Sequence, residues 1–274
     1  MHRRTTGKIK ANSRALRILL AATILIGLGA PSARAADWSF FVAPYGWLAS
    51  IKGTVVANGR ETDLDVSFQD LLENTSGAFQ LYAEARRNKF FMAFDWTWAI
   101  LKSEDEGDLA NLEVRVDQRL YDFRLGYEVH RRALNESEAD DPLALRERTT
   151  DIFIGARYFK TEPRFTLSLP VGDPITTVST DDRWDPFIGF RTGRDLSKRW
   201  GFGVRGDIGG FGIGDAAQFT WQVSASFALR ASRRIYFLMG YRALGFDTVT
   251  GDGDNRNGAD LVQHGPTIGG GFAF

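Results

Sequence analysis

Apolar and polar residues alternate along most of this chain, and the alternation predicts a protein made of β-strands. Residues 217–230 show it most clearly, because AQFTWQVSASFALR places an apolar side chain at every second position. Residues 90–101, FFMAFDWTWAIL, repeat the pattern with six large apolar groups on one face. Successive side chains of a strand point to opposite faces, so each such strand has one face that requires an apolar medium.

Ten segments carry this period of two and are predicted to be strands. They are residues 38–49, 76–87, 90–101, 111–130, 150–169, 184–193, 200–208, 217–230, 234–248 and 261–274. Before Leu120 the alternation is irregular, which predicts a bulge or an extension beyond the membrane. If the last strand ends at the periplasm, the turns near Asn88, Asp195 and Ser232 are internal and short, while most external loops are longer.

The first 35 residues differ from this pattern and predict a secretory signal peptide. A basic segment ending at Arg17 precedes the apolar run 18–30, and the small-residue triplet ARA ends at Ala35. An apolar run of about 13 residues is shorter than the roughly 20 that a spanning helix needs. The sequence therefore predicts cleavage after Ala35 and one domain over residues 36–274.

Composition and charge narrow the class of protein. The chain has no Cys, which excludes a disulfide framework and a lipoprotein anchor. Residues 1–35 hold seven of the 34 basic residues and none of the 34 acidic ones, so residues 36–274 carry a net charge of −7, and nucleic-acid binding is excluded.

Spanning helices are not predicted after residue 35, although 13% of the chain is aromatic. A membrane protein without such helices must be a closed barrel, because lipid cannot pair the backbone of an open sheet edge. We therefore predict an all-β fold, a closed antiparallel transmembrane β-barrel of about ten strands, with eight to twelve possible.

Two connections need a separate interpretation. In the external connection 50–75, Ser67 and Asp70 stand three residues apart, as in a helix cap, and predict a short helix. This helix either orders part of a long loop or covers the barrel mouth as a lid. Residues 131–147 form a long acidic connection on the internal side. They are either a real periplasmic excursion or a missed strand pair.

The faces predicted to point into the barrel carry the main candidate functional residues. Seven arginines and five carboxylates share these faces: Arg86, Arg124, Arg157, Arg191, Arg205, Arg230, Arg242, Glu84, Asp95, Asp122, Glu128 and Asp207. Isolated charges are costly in a low-dielectric interior, so these groups predict a paired ladder. The ladder either fills and rigidifies a narrow barrel, or it lines a narrow pore whose arginine excess prefers anions.

Other motifs carry little weight. Residues 201–206 fit GxGxxG but lie inside a predicted strand, without the following helix that a dinucleotide site requires. Residues 251–258 have a mismatched calcium-loop spacing. His264 faces the lipid side near the outer end of the last strand, but no serine is adjacent on its strand. No catalytic residue, metal site or cofactor is predicted.

Several segments together resemble a family of small bacterial outer-membrane β-barrel proteins of undetermined activity, porin-like or OmpA-like. They are APYGWL (43–48), GTV (53–55), DVSFQDLL (65–72), EARR (84–87) and WDPFIGFR (184–191). The resemblance covers nearly all of residues 36–274, and its motifs are architectural. It implies a location in the bacterial outer membrane, and it implies that Phe272 and Phe274 belong to the assembly signal of the class.

The expected function is that of a non-enzymatic envelope barrel, either structural or a narrow passive pore. Its expected partners are outer-membrane lipid, lipopolysaccharide and the barrel-assembly machinery. The first alternative is a membrane-embedded enzyme that acts on lipid A or peptides through His264. The second is a soluble lipocalin-like barrel, which the large apolar face of residues 90–101 disfavours.

Overall fold

The computed structural model describes residues 38–57, 59–106, 111–135, 146–168, 175–178, 181–249 and 251–274. The predicted signal peptide lies outside these residues, and so does most of the acidic connection 131–147. Both interpretations of that connection therefore stay open, although its flanking strands extend to Ala133 and from Glu147.

Thirteen strands and one α-helix follow each other along the described chain. They are β1 (Trp38–Trp47), β2 (Ser50–Ala57), β3 (Arg60–Val66), α1 (Phe68–Glu73), β4 (Thr75–Arg87), β5 (Phe90–Glu106), β6 (Asn111–Ala133), β7 (Glu147–Ser168), β8 (Ile175–Val178), β9 (Asp181–Asp195), β10 (Trp200–Gly210), β11 (Phe219–Arg230), β12 (Ile235–Asp247) and β13 (Gly258–Ala273). A short 3₁₀ helix, Gly253–Asn255, precedes β13.

Ten of these strands close into an antiparallel barrel, as the sequence predicts. Its order is β1, β4, β5, β6, β7, β9, β10, β11, β12 and β13, and pairing of β13 with β1 completes the ring. Both chain ends of the barrel therefore lie at one rim, which we call the short-turn end. The opposite rim is called the long-loop end.

The connection 50–75 is more ordered than the sequence predicts. Strands β2 and β3 form a hairpin, and β2 pairs with the outer part of β13. The predicted helix is present as α1, with the reciprocal Ser67–Asp70 cap. Strand β8 likewise adds to the outer part of β7. These additions carry the sheet beyond the barrel at the long-loop end, and the predicted extension of β6 is also present, paired with β5 as far as Asn111.

The outward face of the barrel is apolar and aromatic. Ile154 and Leu125 are each 61% exposed in the middle of their strands, and rings of Phe123, Trp184 and Tyr158 contact one another along this face. In water these side chains would form a large unfavourable surface, whereas a bilayer supplies the medium that they require. Among the described residues, no helix is long and apolar enough to cross a membrane.

The inward face is filled by side chains in layers. One apolar cluster consists of Phe91, Ala93, Phe153 and Phe187. A second cluster lies nearer the long-loop end and consists of Trp47, Leu120, Phe159, Leu244 and Phe246. Glycines allow this packing: a side chain at Gly155 would meet the Phe187 ring at 2.4 Å. The barrel interior is therefore a packed core around the charged residues.

Candidate functional site

Arg157 is the centre of a buried charged network at mid-height in the barrel. Its Nε donates to Asp122 Oδ1 at 2.8 Å, and its Nη2 donates to Asp207 Oδ1 at 2.9 Å. The same nitrogen lies 3.4 Å from Gln222 Oε1. Arg157 is 1% exposed and Asp122 is fully buried. The side chain thus joins β7 to β6, β10 and β11.

Arg242 extends this network across the lumen. Its Nε and Nη2 donate to Gln222 Oε1 at 3.1 and 2.7 Å. Its Nη1 donates to the Tyr45 hydroxyl at 2.9 Å and lies 3.6 Å from Asp95 Oδ1. Tyr45 in turn donates to Asp95 at 2.7 Å. These contacts connect β12 with β5, on nearly opposite sides of the ring.

Arg205 completes the set, which we call the central network. Its Nη2 donates to Asp207 Oδ2 at 2.7 Å and to Asp122 Oδ2 at 3.2 Å. The central network is Tyr45, Asp95, Asp122, Arg157, Arg205, Asp207, Gln222 and Arg242. It connects seven of the ten barrel strands, and charged groups bonded across strands in this way rigidify a protein interior.

A second network lies closer to the short-turn end, and we call it the terminal network. Arg191 donates to Glu84 Oε1 at 2.8 Å and to Asp151 Oδ2 at 2.7 Å. Arg86 donates to the same Asp151 oxygen at 2.7 Å and to Glu128 Oε2 at 3.0 Å. Bonds between β9 and β4 again cross the ring.

Aromatic rings separate the two networks. The Arg191 guanidinium lies 4.1 Å from the centre of the Phe91 ring, and the Arg157 guanidinium lies 4.9 Å from that of Phe187. Beyond the terminal network, a polar cavity of about 410 Å³ lies at the short-turn end, between Arg86 and Glu128 on one wall and Gly203 and Ser226 on the other. Charged and aromatic layers therefore alternate along the barrel axis.

The structure brings ten of the twelve predicted ladder residues into these two networks. Arg230 does not join them. It lies near the short-turn end, where its nearest carboxylate oxygen belongs to Asp195 at 3.9 Å. Arg124 is buried in the lumen, where it forms no ion pair with any residue that the structure describes.

Sequence reasoning missed three network members. Asp151 lies on the same parity of β7 as Arg157 and was available from the alternation alone. Gln222 lies on the polar face of its strand. It was missed because the ladder was predicted from charged residues alone, and Gln222 is uncharged. Tyr45 belongs to β1. Both faces of this strand are apolar in sequence, so the alternation does not predict whether the Tyr45 side chain faces the lipid or the lumen.

The predicted assembly residues lie at the short-turn end. Phe274 exchanges backbone hydrogen bonds with Phe40 of β1, and its side chain is 53% exposed. Phe272 pairs with Ile235 of β12. Their role in assembly stays a prediction.

His264, the candidate for catalysis, lies on the outward face of β13. Its Nδ1 is 2.7 Å from the Tyr241 hydroxyl. Ser50 is its partner in the pairing of β2 with β13, but the Ser50 hydroxyl accepts the Phe68 N–H at 3.0 Å. Within the described residues, no ion pair joins a histidine to a carboxylate, and no cluster of His, Asp and Glu could hold a metal ion.

Solved outer-membrane barrels have similar folds. The outer membrane protease OmpT from Escherichia coli superimposes with a TM-score of 0.53 at 8% identity, over 89% of this chain and 99% of that chain. The translocator domain of autotransporter NalP from Neisseria meningitidis gives a TM-score of 0.34 at 11% identity, over 94% of each chain. The attachment invasion locus protein Ail of Yersinia pestis gives a TM-score of 0.31 at 10% identity, over 87% of this chain and 99% of that chain.

No protein-family model matches the sequence, and no curated protein matches it significantly. At 8% identity the likeness to OmpT shows the fold alone. This shared fold and the apolar outward belt together point to the bacterial outer membrane as the location of the protein. The chain is a closed ten-stranded antiparallel β-barrel of the outer-membrane type.

Proposed function

We propose that this protein is a non-enzymatic barrel of the bacterial outer membrane whose lumen is closed. It stabilises the envelope and presents the hairpin β2–β3, helix α1 and the other external segments at the long-loop end. It does not act as a passive pore. Outer-membrane lipid and lipopolysaccharide surround its outward belt, and the barrel-assembly machinery inserts it after removal of the signal peptide.

The central network is the observation that carries this proposal. A pore needs a continuous polar path, whereas Arg157 and Gln222 are each 1% exposed and are bonded to side chains from other strands. The terminal network adds a second set of crossing bonds, and rings fill the space between the two. Arginine and carboxylate groups that bond to each other across the lumen do not line a continuous path along which ions could pass.

The contacts of His264 support a non-enzymatic role. OmpT is a protease, but its fold also serves proteins with other roles, so the likeness carries no activity to this chain. His264 is bonded to a tyrosine on the lipid side, and Ser50 is engaged by the backbone of Phe68. A histidine held in this way lacks the base–nucleophile contact that acyl transfer needs.

Single-channel recording tests the proposal. The refolded protein, with folding verified by heat-modifiable gel mobility, is inserted into planar bilayers. We expect no discrete openings from the native sequence. A variant in which four network arginines are replaced (Arg86→Ser, Arg157→Ser, Arg191→Ser, Arg242→Ser) should conduct, because most of the ion pairs and hydrogen bonds that join different strands inside the lumen are gone.

Discrete, ion-selective openings of the native protein would overturn the closed-lumen proposal directly, whether or not the variant folds. Peptide hydrolysis or lipid A modification by the native protein, lost in His264→Ala, would overturn the non-enzymatic part.

A further inference from the structure

Arg124 is a buried arginine that has no acceptor for two of its nitrogen atoms. It is 4% exposed on β6, and its Nε and Nη2 form no hydrogen bond with any described residue. No described carboxylate lies within ion-pair distance of it, although Asp122 and Glu128 are on the same strand. A guanidinium group keeps its charge in proteins, so this position holds an uncompensated cation in a low-dielectric interior.

Two aromatic rings are its only close partners among the described residues. The guanidinium carbon lies 5.2 Å from the centre of the Tyr82 ring and 5.9 Å from that of Phe153. Ring faces attract a cation, but they offer no lone pair to its N–H groups. The rings therefore orient Arg124 and leave its hydrogen-bonding capacity unused.

Neighbouring arginines leave further donors unused in the same part of the lumen. Arg205 Nε and Arg157 Nη1 are buried and have no partner in the described chain. The Arg205 guanidinium lies 5.4 Å from the centre of the Phe153 ring, the ring that Arg124 also contacts. Several N–H donors of like-charged groups thus surround one aromatic pair, Phe153 and Phe187.

The arginines of the central and terminal networks are paired with carboxylates. In the central network three arginines face three aspartates, and both sides are paired. In the terminal network Arg86 and Arg191 face Glu84, Glu128 and Asp151, and the adjoining Arg131 pairs with Glu128 and with Glu147. Each of these arginines therefore has a carboxylate partner, whereas Arg124, which lies between Asp122 and Glu128 on β6, has none among the described residues.

We propose that Arg124, with Arg205 beside it, binds a small monovalent inorganic anion of the size of chloride inside the barrel. A buried guanidinium without a carboxylate beside it calls for an anion that accepts its free N–H groups, and the enclosed position favours a compact ion over an organic acid. The anion accepts the free N–H groups of both arginines. This inference concerns an occluded ion, and it does not depend on whether the lumen conducts.

Bromide, which replaces chloride and scatters anomalously, is the probe for this site. In crystals of the native protein grown with bromide, we expect an anomalous peak within hydrogen-bonding distance of Arg124. The refolded protein is also heated in micelles at constant ionic strength while bromide replaces gluconate. A saturable rise in Tm of roughly 2 °C or more is expected, because an ion that binds only the folded state stabilises it.

Arg124→Met keeps an unbranched apolar side chain and removes the charge, so the rise in Tm should disappear. Arg230→Met is the matched control, because Arg230 has the same inward parity but lies near the short-turn end beside Asp195. Its response to bromide should equal that of the native protein. The absence of an anomalous peak at Arg124 in the native crystal overturns the proposal, even if Arg124→Met fails to fold. An unchanged Tm response in a folded Arg124→Met protein overturns it as well.

Discussion

Replacing Arg157 with methionine tests whether the central network stabilises the barrel. Methionine retains much of the apolar volume of the side chain but removes the guanidinium that bonds Asp122 and Asp207. Both carboxylates have no accessible surface. After the change, Arg205 is the one arginine that still bonds them, at 3.2 and 2.7 Å.

The expected cost follows from that burial. Removing one partner of a buried, hydrogen-bonded ion pair destabilises a protein by about 3–5 kcal/mol, because the remaining charge stays desolvated and unpaired. Here the two carboxylates are left sharing Arg205, so one buried negative charge has no counterpart, and water reaches neither carboxylate. We therefore expect Arg157→Met to lower the free energy of unfolding by about 3–5 kcal/mol.

Urea unfolding of the refolded protein, followed by tryptophan fluorescence, measures this difference. Arg256→Met is the control, because Arg256 pairs with Glu61 at 2.8 Å but both side chains are solvent-exposed. Such a pair contributes less than about 1 kcal/mol. The double variant Arg157→Met/Asp122→Asn should recover about 1 kcal/mol or more, since a neutral amide replaces a stranded charge. If Arg157→Met costs no more than Arg256→Met, the central network does not stabilise the fold.

Three further predictions follow from packing, the outward belt and the helix cap. Gly155→Leu should prevent refolding, because its Cβ would lie 2.4 Å from the Phe187 ring; normal heat-modifiable mobility of this variant would contradict the packing described. Ile154→Arg should lower the free energy of unfolding in bilayers by about 2–4 kcal/mol if this 61% exposed residue faces hydrocarbon. A free energy of unfolding within about 0.5 kcal/mol of the native value would instead mean that the belt faces water. The Ser67 side chain and backbone N–H hydrogen-bond the Asp70 carboxylate and lower its pKa. This contribution is therefore complete above the ordinary pKa of about 4 and is lost as the pH falls below it. Amide exchange in α1, corrected for its intrinsic pH dependence, should accelerate on acidification. Ser67→Ala removes the side-chain bond and keeps the backbone bond, so it should weaken this dependence; equal pH profiles for the two proteins would refute the prediction.

The alternation of apolar and polar side chains was enough to predict most of the fold. In β5, β11 and β13 the period of two assigned each residue to the lipid or to the lumen, because that direction depends only on the local geometry of a strand. The hairpin β2–β3 was missed because this method recognises a strand only when one of its faces is apolar. It lies beyond the barrel, where much of Arg60–Val66 is exposed, so no apolar face marks it as a strand.

Which charges meet inside the barrel was decided by the tertiary structure alone. Arg191 and Glu84 are 107 residues apart and face each other across the ring, and Arg242 reaches Tyr45 over 197 residues. Such contacts depend on the number of strands and their register, which no single segment encodes. Arg124 and Arg157 have the same side chain and both face the lumen, yet only Arg157 meets carboxylates. The sequence by itself therefore determined that arginines line the lumen, and the closure of the ring determined which of them is left with an unpaired charge.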